Sequence, residues 1–205
     1  MDNHIRKRRT AQETASEILH NAADMVSARG YAALSLADLA KAMAVSPATI
    51  HKYYGSKLAL AERICALQLE NFLAHVESAN EPEAPFEERL CAISQALATY
   101  HWVGPKGALW CTDLYVSAWQ SEWTVFYEFR GSVISLLRNL LLEGVKQGVL
   151  SHDAPDQASA FYDALQIFMH PLALRDSSAT DAAQRATHVA KVLCRAVIKL
   201  RDQAE

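Results

Sequence analysis

The sequence predicts an all-α fold of about nine helices, with an N-terminal three-helix head that contains a helix-turn-helix and a larger helical body. Three observations predict it. Apolar residues recur at intervals of three and four along most of the 205 residues. Alternating runs rich in Val, Ile and Thr, which mark half-buried strands, are absent. Gly is scarce, at 7, and mostly falls at breaks between periodic segments.

The first helix follows from Ala11, Ala15, Ile18, Ala22 and Val26 at helical spacing, with Gly30 as its stop. Ser35 caps a second, from Leu36 to about Met43, with Asp38 at its third position as a near capping box. Ser46, with Pro47 at the first helical position, opens a third, very short element within Val45–Tyr54. Gly55 supplies the next turn. Ser56 then starts a long fourth helix to about Ser78, with Leu60, Ile64, Leu67 and Phe72 inward.

Asn80 to Pro85 forms a loop. A fifth helix places Phe86, Leu90, Ile93, Leu97 and Tyr100 on one side. After the break at Gly104 to Gly107 come a sixth helix over Ala108–Ala118 and a seventh from about Trp123 to Gln147, ended by Gly148. Pro155 opens an eighth, carrying Phe161, Leu165, Phe168 and Leu172. The ninth, about Asp181–Asp202, carries Ala186, Val189, Leu193, Val197 and Leu200.

The net charge of −3 conceals an asymmetry. Residues 1–57 hold eight basic and five acidic side chains, a net of +3, and the remaining residues carry −6. A basic head on an acidic body suits a polyanion binder with a separate regulatory part. The expected organisation is a head over residues 1–57 with a basic arm, and a body over residues 58–205. No apolar run is long enough for a membrane span and no apolar segment follows the basic N-terminus, so no membrane role is expected and the cytoplasm is the expected compartment. Cys65, Cys91, Cys111 and Cys194 have no paired spacing and read as reduced core cysteines.

A helix too short to be stable alone is kept where its neighbours hold it against something. The segment Val45–Tyr54 displays hydroxyls, an imidazole, an ammonium and phenols, which suit a nucleic-acid groove. Leu39, Val45, Ile50 and Tyr54 are spaced to face the head's core, leaving Thr49, Lys52 and Tyr53 nearer the outside.

Ile18, Ala22 and Ala23, Gly30-Tyr31, Ser35 to Ala40, Val45-Ser46, Thr49 to Lys57 and Leu60 together resemble the N-terminal domain of the tetracycline-repressor (TetR) family of transcriptional regulators, over about a fifth of the chain. The resemblance implies a regulator, not an enzyme, that needs no cofactor. It would act as a homodimeric repressor on a palindromic double-stranded DNA operator, released by a small-molecule effector. The implied DNA contacts are Arg8, Arg9, Ser35, Ser46, Pro47, Ala48, Thr49, His51, Lys52, Tyr53 and Lys57. Ser46 and Thr49 serve either capping or contact, and Arg6 to Arg9 is either a solvated tail or an arm along the duplex. The family usually has Tyr at the place of His51 and an acid at that of Leu58. His51 still donates a hydrogen bond, and loss of the acid makes that helix start more attractive to phosphate.

All four tryptophans fall within Trp102–Trp123. Singly each is explained as core; together they favour a cavity for an apolar or aromatic effector. The expected lining is Trp102, Trp110, Asp113, Leu114, Trp119, Trp123, Phe126, Tyr127, Phe168 and His170. The apolar faces of the last two helices, Phe161, Leu165, Phe168, Leu172, Val189, Leu193, Val197 and Leu200, are expected to pair with a second copy as a four-helix bundle. Gly-x-Ser-x-Gly, His-Glu-x-x-His and phosphate-cradling Gly loops are absent and the histidines are scattered, so neither a hydrolase nor a metal site is expected.

Overall fold

The computed structural model describes residues 10–102, 112–170, 173 and 177–198. Arg8, Arg9, Trp110, Cys111, Leu172 and Leu200, named above, lie outside them. The fold is all-α. The described residues form α1 (Ala11–Arg29), α2 (Leu36–Ala42), α3 (Pro47–Tyr54), α4 (Lys57–Ser78), α5 (Phe86–Thr99), α6 (Thr112–Gln120), α7 (Thr124–Lys146), α8 (Ala158–Leu165) and α9 (Ala179–Val197).

Caps set the head's helices. The Thr10 hydroxyl accepts from the Glu13 N–H while the Glu13 carboxylate accepts from the Thr10 N–H, a complete capping box. Ser35, Ser46 and Ser56 each accept from the backbone N–H three residues on. Between α2 and α3 the chain turns at Ala44, whose φ of 53° is in the left-handed region. Val45 N–H donates to Ala40 C=O and Ala44 N–H to Lys41 C=O, so an alanine occupies the place usually given to glycine in such a C-cap. Leu39 and Ile50 from the two arms of the turn are fully buried beside Ile18, Ala22 and Leu60.

The 22 residues of α4 start in the head and reach into the body. There α5 packs most extensively on α9, and α7 lies against α4 and α8. Arg89 of α5 is buried, with Nε donating to Asn80 Oδ1 at 2.8 Å and Nη1 2.6 Å from Glu143 Oε2 of α7. At Gly144 of α7 a Cβ would stand 2.5 Å from Leu150, so glycine is what lets that buried leucine in.

Three expectations are corrected. The eighth helix is not continuous through Phe168. Short 3₁₀ turns, Ala154–Gln157 and Gln166–Met169, flank α8, and His170 is extended because the following Pro171 disfavours helix there. The described part of the ninth helix ends at Val197, where extended Ile198 bridges to Leu150. Most consequentially, Phe161, Leu165, Phe168 and Val197 are core residues of the subunit, none more than 2% exposed, and are not available to a second copy. The side of α9 that faces α5 is built of Ala182, Ala186, Ala190 and Cys194. These small side chains let the helices approach closely and leave Val189 and Leu193 only half-buried.

Replacing Phe161 by Ala is expected to lower unfolding free energy by about 4 kcal/mol. Urea denaturation at several protein concentrations checks it. The loss is the same at each concentration if the phenyl ring packs within its own subunit.

Candidate functional site: an exposed helix and an aromatic cavity

The first site is the outer face of α3. Ile50 is fully buried and Tyr54 donates from its hydroxyl to Ala15 C=O at 2.8 Å, so two anchors pin the short helix to α1 and α4. Pro47, Ala48, His51 and Lys52 are exposed, and Thr49 and Tyr53 are half-buried. Ser46 Oγ accepts from Thr49 N–H at 3.1 Å and lies 2.9 Å from the Thr49 hydroxyl, so both predicted side chains serve the cap. His51 Nδ1 donates to Gly55 C=O at 2.9 Å, which closes the helix and turns Nε2 outward as an acceptor in the neutral ring. The Lys52 ammonium lies 5.8 Å from the Tyr53 ring. Ser35 caps α2.

Lys57 has a different setting from the one its sequence position suggests. Its ammonium donates to Ala32 C=O at 3.2 Å and sits 4.7 Å over the Tyr31 ring, so it holds the loop between α1 and α2.

The other side of that loop is held from the body. Asp113 of α6 accepts through Oδ2 from the Tyr31 N–H at 2.5 Å and the Ala32 N–H at 3.3 Å. Gly30, which ends α1 with φ 81°, is needed twice: for that backbone conformation, and because a Cβ there would meet Asp113 Oδ2 at 2.8 Å. Asp113 is therefore a clasp between head and body, and not part of a cavity wall as its aromatic surroundings suggested.

The second site is a cavity of about 630 Å³ among α4, α6, α7, α8 and the turn after α8. Of the predicted lining, Trp119, Trp123, Phe126, Tyr127 and His170 border it. Trp102, Asp113, Leu114 and Phe168 do not. Leu114 and Phe168 are core, Phe168 beneath the Arg185 guanidinium, and Trp102 packs edge-on to His101. Sequence reasoning had no means of bringing in Phe72 from α4 or Tyr162 and Met169 from beyond α7, because nothing local marks them. Tyr115 and Phe129 carried a signal, the continued aromatic density on α6 and α7.

The walls are fixed by ring contacts. Phe72 stacks on Tyr100 at 4.2 Å and tilts against Phe129 at 5.2 Å. Phe126 meets Tyr115 and Trp119 edge-on, and Trp119 meets His170 at 5.8 Å. Glu122, at the turn from α6 to α7, takes a left-handed φ of 51°, and Trp123 N–H donates back to Ala118 C=O, which aims both tryptophans at the cavity. Trp119 and Tyr127 are more than half exposed and leave the cavity open to solvent.

Burial pushes the His101 imidazole from 6.5 down to about 4, and lowers His170 as well. Among the described residues no group of three or more His, Cys, Asp or Glu is placed to hold a metal ion, and no helix is long and apolar enough to cross a membrane.

Residues 18–64 match the family model described as bacterial regulatory proteins, tetR family. No curated protein matches the chain. Among solved structures the fold is similar to a putative TetR-family transcriptional regulator from Mesorhizobium loti, with TM-score 0.70, 15% identity, and 94% of this chain and 100% of that one covered. It is also similar to a TetR transcriptional regulator from Chloroflexus aurantiacus (TM-score 0.69, 18% identity, 92% and 98% covered). The fatty acid degradation regulator FadR from Bacillus halodurans gives TM-score 0.65 at 18% identity, with 92% and 97% covered. Residues 18–64 are thus a tetR-family domain, and the chain that carries them is a DNA-binding transcriptional regulator.

Two outcomes follow from the geometry. Asp113→Ala removes the acceptor for two amides and is expected to destabilise the docked loop by about 1.5 kcal/mol, speeding hydrogen exchange at the Tyr31 and Ala32 amides roughly tenfold. For His101 the unfolded chain takes a proton near 6.5 and the folded chain only near 4. Stability from the neutral buried ring is therefore complete above pH 6.5 and is lost as pH falls to 4, by about 3 kcal/mol. His101→Phe should lose correspondingly less between pH 7 and 4 in urea midpoints.

Proposed function

We propose that the chain is a repressor that binds a palindromic operator as a homodimer and leaves it when an apolar, aromatic small molecule occupies the cavity. One observation carries the regulatory part: Asp113, which grips the head's α1–α2 loop, lies on the same helix as Tyr115, Ala118 and Trp119 of the cavity wall. A ligand that shifts α6 thereby acts on the head through a charged hydrogen bond. It releases DNA only to the extent that it binds the DNA-incompetent arrangement more tightly.

The head reads DNA through the exposed face of α3. Lys52 supplies phosphate or base contacts, His51 Nε2 accepts from a base-edge donor, Pro47 and Ala48 give apolar contact, and Tyr53 a phenol at the edge. The boundary at residues 57 and 58 falls at the start of α4, so the lever between the parts is that helix itself.

Two-fold symmetry would come from the outer faces of α8 and α9. The apolar residues left there are Ala160 and Ala164 on α8, and Val189, Val192 and Leu193 on α9, with Val192 about half exposed. Alanines on α8 and branched aliphatic side chains on α9 suit the packing of two copies.

Footprinting of the purified full chain on genomic DNA tests the reading. Protected inverted repeats are expected, with affinity falling steeply between 50 and 200 mM salt. Lys52→Ala combined with Tyr53→Ala should weaken operator binding at least tenfold and reduce the slope of log K against log salt by about one, at unchanged helical content. Undiminished binding would remove α3 from the role of recognition helix.

A further inference from the structure

We propose that the effector carries one positive charge on its aromatic body, as a quaternary or protonated tertiary ammonium does, and that the cavity receives this charge at its open rim, between aromatic faces and the Glu122 and Asp163 carboxylates. The inference rests on reading the cavity as the effector site and adds the charge of the ligand.

The cavity has an apolar inner wall and an aromatic, charged rim. Leu69, Phe72 and Phe129 are buried. Trp119 and Tyr127 are 59% and 58% exposed and stand at the side open to solvent. Large aromatic rings left in water beside a cavity offer their negative π faces, which attract a cation held within about 6 Å of the ring centre.

The charges at the rim set the sign. Among the described residues that border the cavity, the charged side chains are Glu122, Arg130 and Asp163. His101 and His170 border it too, and burial keeps both neutral at physiological pH. Arg130 is already engaged: its guanidinium lies 5.4 Å from the centre of the Tyr162 ring, and its Nη2 is 3.9 Å from Asp163 Oδ1. The Glu122 side chain has no hydrogen bond or ion pair among the described residues. Two carboxylates thus face one guanidinium. An anionic ligand would compete with Asp163 for Arg130 and meet Glu122 as a like charge. A cation meets an unpaired carboxylate and ring faces, and at the open rim it keeps part of its hydration.

The backbone at Glu122 agrees with this role. Its φ of 51° is left-handed, a conformation that Gly or Asn adopts at less cost. The turn is closed by backbone groups alone: Glu122 N–H donates to Trp119 C=O at 3.2 Å, and Trp123 N–H to Ala118 C=O at 3.1 Å. What glutamate adds at this position is a carboxylate next to Trp119 and Trp123.

The test uses the full chain at about pH 7.5 and three probes on one ring system: trimethyl(2-naphthyl)ammonium, its neutral isostere 2-tert-butylnaphthalene, and 2-naphthoate. Affinity is measured by equilibrium dialysis. The ammonium is expected to bind at least about tenfold more tightly than naphthoate. It should lose about fivefold in Glu122→Gln and about tenfold when Asp163→Asn is added, while the isostere changes less than about twofold in either. Arg130→Gln should strengthen ammonium binding about threefold, because it removes a like charge and frees Asp163. In the unsubstituted protein, raising salt from about 50 to about 500 mM should weaken the ammonium about threefold and not weaken the isostere. That readout stands even if a substituted chain does not fold.

Naphthoate as the tighter of the two ions, or an ammonium affinity indifferent to the carboxylate substitutions or to salt, would overturn the charge assignment. Binding of the neutral isostere would in that case leave the cavity standing as an effector site. If none of the three probes binds, the aromatic-effector reading of the cavity falls and the charge assignment falls with it.

Discussion

The structure depends on one carboxylate reaching from the body into the head. Asp113 holds the Tyr31 and Ala32 amides, and from the other side Lys57 holds the Ala32 carbonyl and covers the Tyr31 ring. The six-residue stretch between α1 and α2 is thereby gripped at its donors by α6 and at its acceptor by α4. The grip requires Gly30, since any side chain there would occupy the place of the Asp113 oxygen. Hydrogen bonds to a charged acceptor are stronger and more directional than apolar contact. Movement at one end of α6 is therefore felt by the head as a change of distance and angle, which packing alone would absorb.

The other face of α6 borders a chamber whose walls come from helices far apart in the chain. Its aromatic rings are set by stacking and edge contacts that fix their planes, and the strained turn at Glu122 points Trp119 and Trp123 into it. Backbone strain of this kind persists where surrounding structure holds it, often at binding sites. Opposite α6, the 3₁₀ turn Gln166–Met169 offers Met169 C=O to His101. That single bond decides which imidazole nitrogen carries hydrogen.

The apolar inventory of α8 and α9 shows how hydrophobic patterning misleads about assembly. Most of their large residues satisfy the core of one subunit, and what remains outside is alanine, the half-buried Val189 and Leu193, and the exposed Val192. A helix face rich in Phe and Leu says that it must be covered and does not say by which chain. Burial is settled by the angle at which α9 crosses α5, which the alanines permit.

The sequence by itself determined the helices of the head, the register of α3 and the identity of its exposed face. Those follow from caps and periodicity within a few residues: Ser35, Ser46 and Ser56 take the capping roles their positions imply, and Ile50 is buried while Lys52 is exposed. It also determined that the aromatic cluster on α6 and α7 is concentrated in one region. Only the tertiary structure decided which aromatics border the cavity, that Phe72 and Tyr162 join them, and that Asp113 and Lys57 clasp a loop. Asp113 and Tyr31 are 82 positions apart, and no local rule of spacing or charge relates residues at that separation. Their pairing exists because α4 and α6 bring the body against the head, a consequence of packing the whole chain.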